Sequence, residues 1–171
     1  MNKPVLTPRA ALRNIASICA IALTAAMATP AAACDLIPDS WASLIGSKHF
    51  DAQEDYNERN AGLFLGWDCK YVSTRIGAYD NSLYRRSTAV TFTSDYLSVG
   101  LAGSELHPFV GTAKYPDTGR NQINSIWGDW TLIGGVELTH EDVPLFVQWL
   151  PGDEEAAGYS SIAAFGVRLD F

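Results

Sequence analysis

The chain has 171 residues, of which 47% are hydrophobic and 18% charged, and this length and composition fit one folded domain. Its formal net charge of −7 argues against a nucleic-acid partner, because surfaces that bind nucleic acid are basic. No apolar run is long enough to cross a membrane as a helix, so insertion into a membrane would require a closed β-barrel.

The N-terminal segment, residues 1–33, has the pattern of a secretory signal peptide. A basic start without acidic residues is followed by an Ala-rich apolar run from Ile15 to Ala28 and by small residues up to Ala33. This order is typical of an exported precursor. We therefore expect residues 1–33 to be removed and residues 34–171 to form one mature domain that is more acidic than the precursor.

Alternation of apolar and polar residues with period two dominates the mature chain and predicts β-strands. It is clearest near the C-terminus, where Phe165, Val167 and Leu169 alternate with Gly166 and Arg168. On this pattern we place strands at 40–50, 60–68, 70–80, 86–95, 97–103, 106–116, 130–140, 143–151 and 161–171.

The stretch 86–103 leaves two interpretations open. It forms either two strands or one long strand with a ragged turn. One long strand would give the even number of strands, about eight, that is expected of a bacterial barrel. Helix patterns are nearly absent, and only Asp35–Trp41 is expected to form a short helical turn.

The two faces of the predicted strands differ in character. One face is apolar and aromatic, and the last strand ends on Phe171, as in outer-membrane barrels. We predict an all-β fold, an antiparallel up-and-down transmembrane β-barrel of about eight strands in a Gram-negative outer membrane. The alternative is a secreted soluble barrel whose apolar faces turn inward. The polar face, expected to line the interior, carries Arg75, Lys114, Glu137, Gln148, Arg168 and Asp170.

Connection lengths predict the orientation of the barrel, because transmembrane barrels have short periplasmic turns and longer external loops. One set of connections is short, and the other is long and polar. The short ones are 68–70 and 140–143, and the long ones are 51–59, 117–129 and 152–160. We therefore expect the long loops, and any functional residues in them, at the external rim.

Two cysteines, Cys34 and Cys69, remain after removal of the signal segment, and an even pair in an oxidising compartment favours a disulfide. Cys69 lies in a short turn on the predicted periplasmic side. Cys34 precedes the first strand, which starts on the same side. The alternative is that Ala-Ala-Ala-Cys is a lipoprotein cleavage box, with Cys34 as a lipid-carrying N-terminus.

Three polar groups are predicted at the external rim: Lys48–Asp51, Tyr56–Asn60 and Asp80–Ser82. A His, a carboxylate and a Ser on one rim can serve as base, orienter and nucleophile in acyl transfer. The alternative is that these residues are ordinary polar turn residues. The three histidines are scattered without ligand spacing, so we expect no metal and no cofactor.

The run Asp51–Arg59, which ends in Tyr-Asn-Glu-Arg, resembles the first external loop of the lipid A palmitoyltransferases, the PagP-type barrels. Members of that family are eight-stranded outer-membrane barrels that move a palmitoyl chain from a phospholipid to lipid A. Their activity depends on a His in the first external region and on an Asp-Ser pair above the third strand. Further similar segments, which extend the resemblance over most of the mature chain, are Gly62–Trp67, Gly77–Ser82, Val147–Gly152 and Leu169–Phe171.

The resemblance implies a monomeric barrel that acts on acyl chains of lipid A or phospholipid. In the resemblance the family's Ser corresponds to Ser82, its Asp to Asn81 and its His to Ser43. His49 would therefore be a histidine at another position of the same rim. The expected catalytic residues are His49, Ser82, Asn81, Glu58 and Asn57, with Asp80 as a further orienter. The expected substrate contacts are Tyr56, Arg59, Phe64, Phe146 and Pro151.

A non-catalytic structural or lipopolysaccharide-binding barrel is the alternative function. The two functions differ in the lumen of the barrel. An acyl-chain enzyme needs an apolar pocket in its upper half, lined by residues such as Phe64, Ile133 and Phe146. A structural barrel can fill the same space with a charge network.

A disulfide between Cys34 and Cys69 is the first testable expectation. Non-reducing peptide mapping of the exported protein should find one intramolecular bridge that joins these two residues and disappears on reduction. An acylated Cys34, or two free thiols, would contradict the prediction.

Overall fold

A computed structural model describes residues 36–116 and 125–171, which form ten β-strands and one helical turn. All but one of these strands lie within a few residues of the positions that the alternation predicts, and the exception is a short strand within the predicted loop 117–129. The elements are β1 (Ser40–Phe50), β2 (Gly62–Asp68), β3 (Val72–Asp80), β4 (Arg86–Ser94), β5 (Val99–Leu101), β6 (Ser104–Lys114), β7 (Ser125–Trp127), β8 (Trp130–His140), β9 (Val143–Asp153), α1 (Glu154–Ala157) and β10 (Tyr159–Asp170).

The sheet closes into an antiparallel barrel of eight strand positions. β1 pairs with β2 along one edge and with β10 along the other, and β6 pairs with β8 to complete the ring. Every pair of neighbouring strands is antiparallel. The predicted all-β barrel of about eight strands is confirmed.

The stretch 86–103 occupies one strand position. β4 pairs with β6 between Thr88 and Thr93, and β5 pairs with the start of the same strand. The turn 95–98 interrupts these two segments without moving them to another position in the ring. The interpretation as one long strand with a ragged turn is therefore correct.

Side chains alternate between the lumen and the outer surface, as the sequence pattern predicts. In β3, Arg75 is 4% exposed whereas its neighbour Ile76 is 48% exposed. In β10, Ala164 is buried and Phe165 is exposed. The apolar face thus points outward, opposite to the arrangement of a soluble barrel with an apolar interior.

One residue of the predicted polar face lies on the outer face instead. Lys114 is exposed, whereas the buried residues of β6 are the odd-numbered His107, Phe109 and Ala113. The prediction that Lys114 lines the interior was wrong, because the alternation of β6 places its even-numbered side chains outside.

Short turns and long loops segregate to opposite ends of the barrel. β2–β3 and β8–β9 are joined by tight turns at one end, and 51–61 and the connection containing α1 lie at the other. The helical turn expected at Asp35–Trp41 is not found in its described part, because Trp41 belongs to β1. Within the described residues, no helix is long and apolar enough to cross a membrane.

The segment before β1 packs against the turn that carries Cys69. The N–H of Asp39 donates to a β2 carbonyl at 2.8 Å, and the indole N–H of Trp67 donates to the carbonyl of Leu36 at 3.4 Å. Cys34 lies outside the described residues, so its pairing with Cys69 stays a prediction. These contacts nevertheless place Leu36, which is two residues after Cys34, beside that turn.

Candidate functional site

The long-loop end of the barrel brings a histidine and a serine together. Nε2 of His49, near the end of β1, lies 2.9 Å from Oγ of Ser82, which follows β3. β1 and β3 both pair with β2, so their upper ends reach the same part of the rim. The predicted proximity of His49 and Ser82 is confirmed, and the imidazole is 2% exposed.

A β-bulge in β1 turns His49 toward the lumen. The register between β1 and β10 shifts between Leu44 and Gly46, which makes Ile45 the extra residue. Before the bulge the even-numbered residues are buried, and after it Ser47 and His49 are buried. Uninterrupted alternation would place His49 on the outer face. Bulges next to functional sites re-aim side chains in this way.

Two tyrosine rings hold the imidazole of His49. Tyr56 stacks on it at a centroid distance of 4.5 Å, and Tyr159 meets it edge-on at 5.2 Å. The hydroxyl of Tyr56 donates to the carbonyl of Ala157 at 2.6 Å, which ties the first loop to α1. Nδ1 of His49 has no hydrogen-bond partner among the described residues. In Ser-His-Asp sites a carboxylate orients the imidazole. In this site aromatic packing orients it.

The segment that follows Tyr56 holds the backbone of Ser82 in place. The N–H of Asn57 donates to the carbonyl of Ser82 at 2.8 Å, and its side chain donates to the carbonyl of Asn81 at 3.1 Å. The side chain of Asn60 donates to the carbonyl of Asp80 at 3.0 Å and accepts a hydrogen bond from a β1 serine. Asn57 is thus a positioning residue rather than a group on the imidazole.

Glu58 contacts His49 through the backbone. Its Oε1 accepts the N–H of His49 at 3.2 Å and lies 3.0 Å from Nζ of Lys48. The hydrogen bond from Lys48, with that from the His49 N–H, holds the pKa of the Glu58 carboxyl below its usual value. Glu58 therefore stays ionised at neutral pH and anchors the upper end of β1.

Asn81, the residue aligned with the family's Asp, contacts its own turn. Its side chain is fully buried. Oδ1 accepts the N–H groups of Leu83 at 2.9 Å and Arg85 at 3.0 Å, and Nδ2 donates to Oγ of Ser87 at 2.9 Å. This geometry shapes the β3–β4 turn that carries Ser82.

Four other predicted residues lie apart from the His49–Ser82 pair. Asp80 forms a surface ion pair with Arg86 at 3.2 Å. Arg59 and Pro151 are exposed, and neither lines the interior cavity. Ser43 precedes the bulge and lies on the opposite face of β1 from the buried residues there.

A cavity of about 90 Å³ occupies the upper half of the lumen, and Ser82 is part of its wall. This volume is several times the roughly 10–15 Å³ that one water molecule requires. Phe64, Ile133 and Phe146 all line it, as an apolar pocket requires. Further apolar lining comes from Ala42, Leu44, Ala89, Leu150, Ile162 and Ala164.

Some residues of the site were not singled out from the sequence. Asn60 was predicted at the rim, in the Tyr56–Asn60 group, but was given no role in the site. Tyr79 shares the inward face of β3, and its hydroxyl donates to that of Tyr115 at 3.2 Å in the cavity wall. Tyr159 carried no sequence signal, because its contact with His49 depends on the pairing of β10 with β1.

Among the described side chains, no group of His, Cys, Asp and Glu is arranged to hold a metal ion. No protein-family model, no curated protein and no solved structure matches this chain.

Replacement of Asn81 tests whether this residue shapes the turn. Asn81→Ala removes the buried hydrogen bond to Ser87 and leaves the part-buried N–H groups of Leu83 and Arg85 without their acceptor, so we expect a loss of about 1–3 kcal/mol in unfolding free energy. Urea unfolding followed by tryptophan fluorescence measures it. Arg85→Ala, which removes only an exposed side chain from the same turn, should stay within about 0.5 kcal/mol of the parent protein. Equal stability of the two variants would refute the role.

Proposed function

We propose that this protein is an outer-membrane barrel that transfers or hydrolyses acyl chains of phospholipid or lipid A, with Ser82 as nucleophile and His49 as base. The observation that carries the proposal is the 2.9 Å contact between Ser82 Oγ and His49 Nε2, with Ser82 in the wall of a mainly apolar cavity. Ser-His pairs activate a hydroxyl for attack on esters, and the apolar cavity suits an alkyl chain.

The proposed reaction has two steps. Ser82 Oγ attacks the ester carbonyl while its proton moves to Nε2 of His49. Collapse of the tetrahedral intermediate breaks the ester bond, and the leaving alkoxide of the lysolipid takes that proton. A hydroxyl of lipid A or a water then attacks the acyl group on Ser82 while His49 takes its proton. The bond between Ser82 Oγ and the acyl group breaks, and Ser82 Oγ takes the proton back from His49.

Stabilisation of the charged imidazole falls to Tyr56. A carboxylate partner for Nδ1 is absent from the described residues, whereas the ring of Tyr56 stacks at 4.5 Å. An aromatic face attracts a cation within about 6 Å. The pair therefore operates as a dyad with aromatic support, a weaker arrangement than a full triad.

The outer surface supports placement in a membrane. Large apolar side chains on the barrel wall are exposed, among them Leu63 at 57% and Leu145 at 52%. Soluble monomers rarely expose contiguous apolar surface on this scale. Exposed aromatic residues lie near both barrel ends, as in the girdles of outer-membrane barrels. They are Tyr71 and Tyr96 at the short-turn end, and Tyr84 and Trp127 at the long-loop end.

The contents of the lumen distinguish an acyl-chain enzyme from the alternative, a structural barrel. A charge network does occupy the middle of the lumen, around Arg75 and Glu137. The space between this network and Ser82, however, is an apolar cavity. That division favours acyl-chain binding over a filled structural interior.

Membrane placement is tested by a charge on the outer face. Val167, in the middle of the outward row of β10, pairs with Ser43 and Leu145. Val167→Arg should impair insertion, because an arginine facing lipid at mid-membrane costs roughly 2–4 kcal/mol. Heat-modifiable migration in SDS gels reports the folded barrel, and Val167→Leu should behave as the parent. Full extraction of the parent protein into detergent-free buffer would contradict membrane placement.

Catalysis is tested by removal of each member of the pair. Ser82→Ala and His49→Gln should each lower acyl transfer or hydrolysis a hundredfold or more, since a general base alone contributes about 10²–10⁴ in rate. Mass spectrometry of lipid A and lysophospholipid from expressing cells measures the product. Ser98→Ala, in the turn before β5, is the matched control and should keep full activity. Undiminished product from a folded Ser82→Ala variant would reject the proposed nucleophile.

A further inference from the structure

A second cavity, open to the outside, lies at the short-turn end of the barrel. Its volume is about 880 Å³, much larger than the upper cavity, and its lining is mainly polar. Only two residues, Arg75 and Phe146, line both cavities. The two cavities therefore meet at a single layer of side chains.

The layer between the cavities is built on an ion pair. Both guanidinium NH groups of Arg75 donate to the carboxylate of Glu137, at 2.5 and 2.7 Å. Gln148 donates to the same carboxylate at 2.7 Å, and the guanidinium lies 5.3 Å from the centre of the Phe146 ring. Arg75 and Glu137 side chains are 5% and 1% exposed. We call these four residues the septum.

The septum crosses the lumen from wall to wall. Arg75 projects from β3, and Glu137 projects from β8, which is three strand positions away in the ring of eight. Gln148 and Phe146 come from β9, next to β8. The side chains of Arg75 and Glu137 meet across the lumen and close it by direct contact with each other.

We infer that the septum is a closed gate, and that the barrel carries a second capacity as a narrow channel for small cations. The inference rests on the proposed membrane placement and is independent of the acyl chemistry at Ser82. Removal of the two interlocked side chains joins the upper cavity, which reaches Ser82 and Asn60 at the rim, to the lower cavity.

Charge in the lower cavity selects the class of ion. Besides the septum, its lining carries one arginine, Arg168, whose charge is taken up by Asp68 and Asp170. Carboxylates outnumber it and attract cations into the lumen. The acidic residues lining this cavity outside the septum are Asp95, Glu105, Glu141, Asp142 and Asp170.

Conductance of the refolded mature protein in planar lipid bilayers tests the gate. The parent protein should be closed, with rare brief openings in KCl. The double variant Arg75→Ala/Glu137→Ala removes both charges together and so leaves no unpaired buried charge. It should raise the mean current at least tenfold, and in a KCl gradient its reversal potential should shift toward that of K⁺.

Two further variants separate a gate from general leakage. The exchange Arg75→Glu/Glu137→Arg restores the pair and should remain closed. Arg75→Lys keeps the charge but loses the two-pronged contact, so it should conduct at an intermediate level. All variants are first checked for heat-modifiable migration in SDS gels.

Several outcomes would overturn the inference. The first is a folded double variant that conducts no more than the parent. The second is an exchange variant that conducts as much as the double variant. The third, if the double variant does not fold, is an Arg75→Lys variant that stays closed. An anion-directed reversal potential would overturn the cation selectivity. A parent protein that fails to insert would overturn the membrane placement and the gate together, and leave the Ser82 chemistry to its own test.

Discussion

Closure of the sheet is the constraint on which the remaining structure depends. β1 is hydrogen-bonded to β2 on one edge and to β10 on the other, so the first and last strands of the described residues are joined. A closed ring of eight strands has no free edge and leaves an interior just wide enough for side chains. Each inward residue therefore has an opposite wall to meet, and each outward residue faces the surroundings.

Within that ring the lumen has two halves of different chemistry, separated by Arg75 and Glu137. Above them, small and aromatic side chains leave an apolar space beneath Ser82. Below them, carboxylates and hydroxyls surround a wider polar space. A buried ion pair is stable in such a place only when both partners are well hydrogen-bonded, and Gln148 completes the set. The contact between Arg75 and Glu137 thus separates the apolar cavity from the polar one.

The candidate site is assembled on the rim from three separate parts of the chain. The bulge of β1 aims His49 inward, the 57–60 segment holds the backbone beside Ser82, and the loop with α1 contributes contacts to Tyr56. Gly46 allows the bulge and the segment to approach, because a Cβ there would lie 2.7 Å from the carbonyl oxygen of Glu58. Contacts with the rings of Tyr56 and Tyr159 hold the imidazole of His49, and no described residue is hydrogen-bonded to its Nδ1.

The sequence by itself determined the strands, their inward and outward faces, the short and long connections, and the rim on which His49 and Ser82 meet. Those features follow from period-two alternation and turn composition, which are local properties of the chain. The tertiary structure alone decided the inward direction of His49, the outward direction of Lys114 and the part that Asn81 plays in its turn. The bulge that turns His49 inward is visible only once β1 is paired with β10. The partner of a buried polar group likewise depends on which strands the barrel brings opposite each other.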